Sequence, residues 1–414
     1  MATRISQIAS HLDPRSWLGS GLPAARAKND NDVVIVALGR TPFTKAWKGG
    51  LKDTPFDVLL LESIRGILAK ADIEPALIDE VVMGNVRNTD SVYELRAAAL
   101  AAGIPNSTPC QQVNRWCSSG LMAVRAIANQ IQAGEIACGL AIGAESMTFH
   151  PKRDWKFSEE VIGTNQEAAD CVQPMLWTSE NVAGDFNISR EKMDAFAARS
   201  HQRAAAAQAA GKFDAEILPV NGRDGPNGAK RVFSQDDGIR PTSNVEALAK
   251  IKAAAPQWSP SRTTGGNASQ ITDGAASVLL MRRSLANKLG KRVIAKYVAT
   301  AVAGLEPRIM GIGPTFAIPK VLELTGIRQE EIDLFEINEA FASMGVYCQE
   351  KLNIPDDKFN VNGGAIALGH PLGATGARLI VTSLAEAERR NQHVVCVSMC
   401  IGLGMGAAGI FIRE

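Results

Sequence analysis

The heptapeptide IEPALID at Ile73–Asp79 returns, in altered form, as IRQEEID at Ile327–Asp333. Each copy follows a segment with helical periodicity and precedes a buried-strand pattern, so the likeness extends beyond the seven residues. Further along the chain, Val113-Asn114 matches Val361-Asn362 in the same order. The sequence therefore predicts an α/β protein built from two duplicated half-domains.

Strand and helix patterns alternate around these repeats. Apolar strand-like runs occupy Val33–Ala37, Glu80–Met83 and Ala137–Ile142, and helical periodicity covers Pro55–Ala71 and Ser118–Ala133. This βαβ alternation predicts sheets with helices packed on their faces. The uncharged stretch Val394–Ile412 is long enough for a membrane helix, but its β-branched runs on both sides of a glycine cluster predict two buried strands and no membrane span.

The middle of the chain breaks the alternation. From about residue 147 to 267 the sequence is polar and carries one strong alanine-rich helix pattern, Ser189–Ala210. We interpret it as an inserted loop or lid subdomain. The predicted organisation is a leader at 1–31, an N-terminal half at 32–146 plus 268–293, the insertion at 147–267, and a C-terminal half at 294–414.

The second half-domain carries a loop that the first lacks. The offset between the copies is 248 residues at Val113/Val361 and 256 at Ser119/Thr375, so eight residues are inserted around Gly363–His370. The glycines of this stretch predict a loop that is neither strand nor helix, followed by a helix.

Composition limits the classes of function. Hydrophobic residues make up 46% of the chain, and 44 basic against 43 acidic side chains leave a net charge of +1. These values exclude a disordered chain and an electrostatic field strong enough to gather nucleic acid. The seven cysteines form no C-x-x-C pair and no metal-ligand cluster with histidine, which predicts free thiols in a reducing compartment.

Cys117 is the first candidate for chemistry. It precedes a helix pattern in which Ser118 and Ser119 occupy capping positions, and a helix start favours the thiolate form of a thiol. We therefore interpret it as a nucleophile. Taken alone, a buried structural cysteine is the more frequent alternative.

Three further candidates lie at predicted strand ends or in the loops after them. Asn338 ends the strand Leu334–Ile337, His370 ends the glycine-rich loop, and Cys400 follows the strand Val394–Val397. Ligands of open α/β sheets bind at such ends. An Asn helix cap and a water-bound loop His are the alternative readings. Gly404–Gly409 matches G-x-G-x-x-G but ends too near residue 414 to form a dinucleotide site.

Together these segments resemble the thiolase family, over essentially residues 32–414. The resemblance rests on four motifs in family order: VNRWCSSGL from Val113, NEAF from Asn338, NVNGGAIALGHPLGATGAR from Asn360 and CIGLGMGAA from Cys400. It implies the thiolase fold, in which two half-domains with mixed sheets form α-β-α-β-α layers. Among family members, the motifs are most similar to those of degradative 3-ketoacyl-CoA thiolases, which act as homodimers in fatty-acid β-oxidation.

The resemblance also implies roles for individual residues. Cys117 corresponds to the nucleophile, His370 to its activating base, Cys400 to the acid/base thiol and Asn338 to the holder of an oxyanion-site water. The backbone N–H groups of Cys117 and Gly402 correspond to a second oxyanion hole. CoA and acyl-CoA are then substrates, and no metal or organic cofactor is expected.

Two more residues follow from the resemblance in the inserted region. Ser269, in GGNAS, corresponds to a pantetheine contact, and Arg240, in DDGIRP, to an adenine contact of CoA. The chain departs from the usual family sequence at Ile251–Trp258 and at Met175–Trp177, so the resemblance does not define the acyl pocket.

Two rival functions stay open at this point. One is a biosynthetic acetoacetyl-CoA thiolase or another condensing enzyme of the same fold, although ketoacyl synthases pair Cys with two His and hydroxymethylglutaryl synthases use Glu. The other is a catalytically inactive acyl-CoA-binding or lipid-binding module, against which the intact set of four side chains argues.

The leader carries its own signal. Arg4–Leu12 reads RISQIASHL, which resembles the type-2 peroxisomal targeting signal R-[LVI]-x5-H-L, and its apolar residues fall on one helical stripe. This resemblance predicts a peroxisomal matrix protein and an import receptor for type-2 signals as a partner. The excess of arginine over acid in the leader leaves a mitochondrial presequence as the alternative.

Overall fold

The computed structural model describes residues 21–150, 156–225 and 227–414. The strands, in chain order, are β1 Val33–Arg40, β2 Thr44–Lys45, β3 Glu80–Gly84, β4 Cys110–Val113, β5 Cys138–Ser146, β6 Val220–Asp224, β7 Ala229–Phe233, β8 Thr272–Arg282, β9 Ala295–Gly304, β10 Leu334–Ile337, β11 Val394–Ile401 and β12 Met405–Arg413. The α-helices are α1 Leu22–Arg26, α2 Phe56–Ala71, α3 Ser91–Ala101, α4 Ser119–Ala133, α5 Glu159–Ile162, α6 Gln166–Asp170, α7 Met175–Asp185, α8 Arg190–Ala209, α9 Val245–Ala249, α10 Arg283–Lys288, α11 Pro314–Thr325, α12 Ala342–Lys351, α13 Ala365–Leu368 and α14 Leu372–Arg389. Three 3-10 turns lie at Pro75–Leu77, Pro307–Ile312 and Gln329–Glu331.

The strands repeat one topology in two half-sheets. In the first half, β3 pairs in parallel with β5, and β5, β8 and β1 continue antiparallel. In the second, β10 pairs in parallel with β11, and β11, β12 and β9 continue antiparallel. The halves join where β1 pairs with β9 through Val34↔Lys296 and Ile35↔Ala295. The duplication and the mixed sheets predicted from sequence are confirmed.

Three hydrophobic cores separate the layers. Helices α4 and α14 pack between the two half-sheets, α2 and α3 cover the outer face of the first half, and α11 and α12 cover the outer face of the second. The order is therefore α-β-α-β-α. The central position of α14 explains its sequence, since 14 of its 18 residues are buried and it has small or apolar side chains on nearly every face.

The helix and strand patterns predicted from sequence are recovered within a few residues at their ends. Helix α4 ends at Ala133, and the following Gly134 adopts a φ of 81°, in the left-handed region that terminates helices. Strands β11 and β12 are the two strands predicted for Val394–Ile412, and their turn uses Leu403 (φ 71°) and Gly404 (φ 80°). No helix in the described ranges is both long and apolar enough to cross a membrane.

One prediction about the second half-domain is wrong. The stretch Gly363–His370 contains a single turn of α-helix, α13, although its glycines indicated a loop. The apolar run Ala365–Leu368 is fully buried, and the Glu339 carboxylate accepts the Ile366 N–H at 3.2 Å. Burial and this anchor favour a helical turn that the flanking glycines alone do not predict.

The inserted segment and the end of the leader both pack on the folded body. Helix α8 is capped by Ser189, whose Oγ accepts the Lys192 N–H at 3.3 Å, and it lies against α12 and α13. In the leader, Gly21 donates its N–H to the Thr325 carbonyl at 2.9 Å, and Ala25 is buried. The segment from residue 21 onward is thus part of the domain, whereas Arg4–Leu12 lies outside the described residues.

Candidate active site

The Cys117 turn connects β4 to α4. Trp116 adopts a φ of 47°, a left-handed conformation that a bulky side chain rarely takes, and it places Cys117 directly before the helix. The predicted capping of α4 by Ser118 and Ser119 is wrong: neither side chain caps the helix, and their hydroxyls donate instead to the carbonyls of Arg115 (2.9 Å) and Trp116 (2.7 Å). Each bond joins two residues of the segment 115–119, so the two bonds together fix the turn that carries the Cys117 thiol.

The Cys117 thiol is buried, with 7% of the residue exposed. Burial raises the pKa of this thiol to about 11, and the Glu145 carboxylate adds to the rise, while the backbone N–H groups of Gly402 and of Cys117 itself oppose it. The helix start therefore supplies the expected N–H donors, but the expectation of a favoured thiolate is wrong, because desolvation outweighs them. The resting nucleophile is a thiol.

His370 lies at the end of the glycine-rich stretch, just before α14. Its Nδ1 is 2.6 Å from Thr375 Oγ1, and that hydroxyl is 3.0 Å from the Pro371 carbonyl oxygen. All three groups are satisfied when the hydroxyl donates to the carbonyl and accepts from Nδ1–H, which leaves a lone pair on Nε2. Burial, and secondarily Arg378, lowers the His370 pKa to about 3, so the imidazole is neutral at physiological pH.

Asn338 ends β10 and faces His370. Its Nδ2 is 3.3 Å from His370 Nε2, and its backbone N–H donates to the Ser398 carbonyl at 2.9 Å. Oδ1 of this side chain is buried and has no hydrogen-bond partner among the described residues. A buried amide oxygen with a free lone pair can hold a water, as the role predicted for Asn338 requires.

Cys400 is the last but one residue of β11 and is 1% exposed. Its Sγ lies 4.0 Å from Met344 Sδ in an apolar cluster that also contains Met310 and Ala340. Burial raises the pKa of the Cys400 thiol well above its usual value, with further contributions from Cys117 and Cys348. Cys400 is therefore a neutral thiol that can donate a proton, and a Cβ built on Gly402, two residues further on, would lie 3.4 Å from the ring of Trp116, the residue before Cys117.

The two half-domains meet at this site through glycines. A Cβ added to Gly120, in the first turn of α4, would lie 2.6 Å from the Gly373 carbonyl oxygen in the first turn of α14. The starts of α4 and α14, which follow Cys117 and His370, therefore touch backbone to backbone. The structure thus assembles the predicted set, with Cys117 from the first half and Asn338, His370, Cys400 and Gly402 from the second.

Arg240 lies within the inserted region, and Ser269 lies just after it. Ser269 is half-buried and donates its N–H to the Ala340 carbonyl at 3.0 Å, two residues beyond Asn338. The next residue, Gln270, accepts the His370 N–H at 3.0 Å. Arg240 is exposed, and its N–H donates to His201 Nδ1 at 3.2 Å. Contact of either residue with CoA stays a prediction.

Sequence reasoning missed Glu145 and Thr375. Glu145 lies near the end of the fully buried strand β5. A charged residue at the end of an apolar run is the sequence signal that could have identified it. Thr375 entered the sequence argument only as a helix-start match, because nothing local to it indicates a bond to His370. In the described part of the chain, no group of three His, Cys, Asp or Glu side chains is arranged to hold a metal ion.

Comparison with known proteins agrees with this architecture. Residues 33–284 match the family model described as "Thiolase, N-terminal domain", and residues 291–413 match "Thiolase, C-terminal domain". The peroxisomal 3-ketoacyl-CoA thiolase of Yarrowia lipolytica is 48% identical over 99% of this chain and 100% of its own length.

Two solved structures are similar to the chain along nearly all of its length. The dimeric peroxisomal thiolase of Saccharomyces cerevisiae superposes with a TM-score of 0.88 at 47% identity, covering 95% of this chain and 100% of that one. The human mitochondrial 3-ketoacyl-CoA thiolase in complex with CoA gives 0.83 at 34% identity, covering 92% and 98%.

Proposed function

The chain belongs to the thiolase family, and from this premise we propose that it is a 3-ketoacyl-CoA thiolase. It is an acyltransferase that cleaves 3-ketoacyl-CoA with free CoA to acetyl-CoA and a shortened acyl-CoA in peroxisomal fatty-acid β-oxidation. The observation that carries the residue assignments is that two buried thiols, Cys117 and Cys400, lie on segments that meet where Gly402 packs against Trp116. Thiolysis needs a nucleophile for the keto carbon and a separate acid for the departing enolate, and two thiols supply both.

The first half-reaction forms an acyl enzyme. Cys117 Sγ attacks the keto carbon while His370 Nε2 takes the thiol proton, so charge develops on the keto oxygen instead of resting on sulfur. The protonated imidazole and the water held by Asn338 stabilise that oxyanion. Each donor of this kind typically contributes about 2.7–4 kcal/mol. The carbon–carbon bond then breaks, Cys400 gives its proton to the enolate carbon, and acetyl-CoA leaves.

The second half-reaction transfers the acyl group to CoA. The Cys400 thiolate removes the CoA thiol proton, and the CoA sulfur attacks the Cys117 thioester. The N–H groups of Cys117 and Gly402 hold the new oxyanion, a role supported by their position around Cys117 Sγ. Collapse releases the shortened acyl-CoA, and the Cys117 sulfur regains the proton from His370, which restores every group to its starting form.

Substrate and partner assignments extend this proposal. Ser269 is assigned to the pantetheine arm of CoA and Arg240 to its adenine end, and no metal or organic cofactor takes part in any step. A homodimer is proposed because the Saccharomyces cerevisiae relative is dimeric. The nonapeptide Arg4–Leu12 supports recognition by an import receptor for type-2 signals.

Chain-length profiling tests the proposal directly. Purified protein is incubated with CoA and either a four-carbon or a sixteen-carbon 3-ketoacyl-CoA, and the products are separated by chromatography. We expect acetyl-CoA and the shortened acyl-CoA from the long substrate, and no turnover when CoA is omitted. Activity on the four-carbon substrate alone would indicate an acetoacetyl-CoA thiolase, and binding without turnover an inactive module.

A further inference from the structure

Glu145 is a fully buried carboxylate that the mechanism above does not use. Its residue exposure is 0%, and no Lys, Arg or His within the described ranges lies at ion-pair distance from it. Burying an isolated charge is costly, so such a group is retained in a fold only where its hydrogen bonds satisfy it. The partners of this carboxylate therefore indicate what it does.

Four neutral donors surround the carboxylate. Oε1 accepts the Arg87 N–H at 3.1 Å and Asn85 Nδ2 at 3.2 Å, and Oε2 accepts the Val86 and Gly373 N–H groups, both at 3.0 Å. Three of these donors belong to the loop after β3, in the first half-domain. The fourth, Gly373, is in the first turn of α14, in the second half-domain. One side chain thus joins the two halves where the active site is assembled.

The Gly373 bond fixes the helix start that carries the base. Gly373 lies three residues after His370 and two before Thr375, whose hydroxyl contacts His370 Nδ1. A Cβ on Gly373 would lie 2.6 Å from the carbonyl oxygens of both Gly84 and Ala144, so this backbone has no room to shift toward β3 or β5. The carboxylate and the close packing together define the position of His370.

Glu145 also acts on the nucleophile through space. Its charge contributes to the raised pKa of Cys117. Burial raises the pKa of Glu145 itself to about 7, against the opposing backbone bonds from Gly373, Arg87 and Val86 and the charge of Arg87. Two groups that belong to the proposed active site keep one form near neutral pH, since His370 is neutral and Cys400 is a thiol. Asp273, beside Glu145 on β8, is bound instead to Thr148 and Ser146.

We propose that Glu145 is a positioning residue for the thiolase reaction: it clamps the start of α14 against the loop after β3, and its negative charge adds to the burial that disfavours the Cys117 thiolate in the free protein. The role of Glu145 in turnover rests on the proposed function. Its effect on Cys117 is a property of the free protein and is measured separately.

The test is the pH dependence of Cys117 alkylation by iodoacetamide. The rate is read by mass spectrometry on the tryptic peptide WCSSGLMAVR, residues 116–125, in which Cys117 is the single cysteine. For wild-type protein we expect the logarithm of the rate to rise with pH, to level off just above about pH 7 as Glu145 ionises, and then to rise again. Ionisation of Glu145 makes the thiol harder to deprotonate, which produces the level segment.

Glu145→Gln should remove the level segment. The variant should match wild type near pH 6, alkylate Cys117 about tenfold faster at pH 8.5, and lose about tenfold or more in kcat because the clamp on α14 is broken. The matched control is Asp273→Asn, which neutralises a buried carboxylate on the neighbouring strand and should keep the level segment.

A straight wild-type profile between pH 6 and 9, which needs no variant to fold, would overturn the inference, and so would a level segment that survives in Glu145→Gln. The same loss in both variants would also overturn it, because a general loosening of the fold would then be the cause. A normal profile in a protein without thiolysis activity would instead reject the proposed function and leave the coupling between Glu145 and Cys117 in place.

Discussion

Cys117 and His370 are both neutral in the resting site, and this determines how the nucleophile is generated. The pKa of the thiol is raised to about 11 and that of the imidazole lowered to about 3, in both cases chiefly by burial. A free thiolate–imidazolium pair is therefore disfavoured before substrate arrives. Proton transfer becomes favourable only as the keto oxygen accepts negative charge, so activation of the thiol and attack on the keto carbon are coupled.

The Cys117→Ser variant should lose thiolysis almost completely. A serine hydroxyl is far less acidic than a thiol, and burial at this position penalises its alkoxide further, so kcat should fall by more than about a hundredfold. Steady-state assays and thermal melting together should show an inactive but folded protein. The control Cys171→Ser, in the inserted segment, should retain full activity, and more than a few per cent of wild-type rate in Cys117→Ser would refute the assignment.

The Cys400→Ala variant should separate acylation from carbon–carbon chemistry. Without the second thiol no group protonates the enolate, so cleavage of 3-ketoacyl-CoA should stop, while an acyl-CoA donor can still acylate Cys117. Intact-protein mass spectrometry should detect that adduct. Cys396→Ala, on the same strand and equally buried, is the control and should stay active. Absence of an acyl adduct on Cys400→Ala would contradict this division of roles.

The site residues differ in how far sequence could identify them. Cys117, His370 and Cys400 sit in local motifs at element boundaries, so strand-end logic and family resemblance both find them. Glu145 and Thr375 act through partners 228 and 5 residues away respectively, and the first of these contacts exists only after the two halves dock. The raised pKa of Cys117 likewise depends on burial in the assembled site, which the local helix-start argument does not include.

The elements were largely predictable because their patterns are strong. Buried β-branched runs, amphipathic helices and glycine turns gave β1, α2, α4, α8, β10, β11 and β12 close to their observed bounds. Helix α13 was missed because its four apolar residues are too few to show a period, and tertiary burial with one carboxylate anchor stabilises the turn.

Helix packing at the centre of the molecule predicts a large effect for Gly120→Ala. The new methyl group would lie 2.6 Å from the Gly373 carbonyl oxygen and 2.9 Å from the Ala377 nitrogen, so α4 must move away from α14. We expect a loss of about 1–3 kcal/mol in the free energy of unfolding and a lower kcat, because Cys117 and His370 shift apart. Thermal melting measures the first effect. Gly304→Ala is the control, since its methyl group would meet no atom within 4 Å; equal melting temperatures would contradict the packing argument.

At the scale of the whole molecule, a buried ion cluster ties the inserted segment to both half-domains. Arg40 on β1 binds Asp236 through two bonds of 2.8 Å and Glu216 through one of 3.1 Å, with all three residues at 5% exposure or less. Thr382 on α14 donates to the same Glu216 carboxylate at 3.0 Å. The insertion is therefore anchored by charge in the core as well as by surface contact.

Removing the Arg40 guanidinium should weaken this anchor strongly. Arg40→Met would leave the Asp236 carboxylate buried without its cation and Glu216 with only the longer ion pair to Arg389 at 3.6 Å, and breaking a buried ion pair typically costs about 3–5 kcal/mol. Arg292→Met is the matched control, because the exposed Arg292–Glu388 pair should contribute only about 0–1 kcal/mol. Unfolding in urea should separate the two variants clearly, and similar midpoints would show that the cluster is not an anchor.

The peroxisomal location makes the N-terminus the last part of the molecule to test. Gly21 and Ala25 pack on the body, and the nonapeptide Arg4–Leu12, which carries the predicted signal, precedes them in the chain. We expect Arg4→Glu or His11→Asp to leave the protein in the cytosol, because each removes a defining residue of the type-2 signal, while thiolase activity in lysate is unchanged. Fluorescence microscopy of the tagged full-length chain measures location. Arg15→Glu, the same charge reversal outside the nonapeptide, should still enter peroxisomes. Peroxisomal import of the double variant Arg4→Glu/His11→Asp would show that another segment carries the signal.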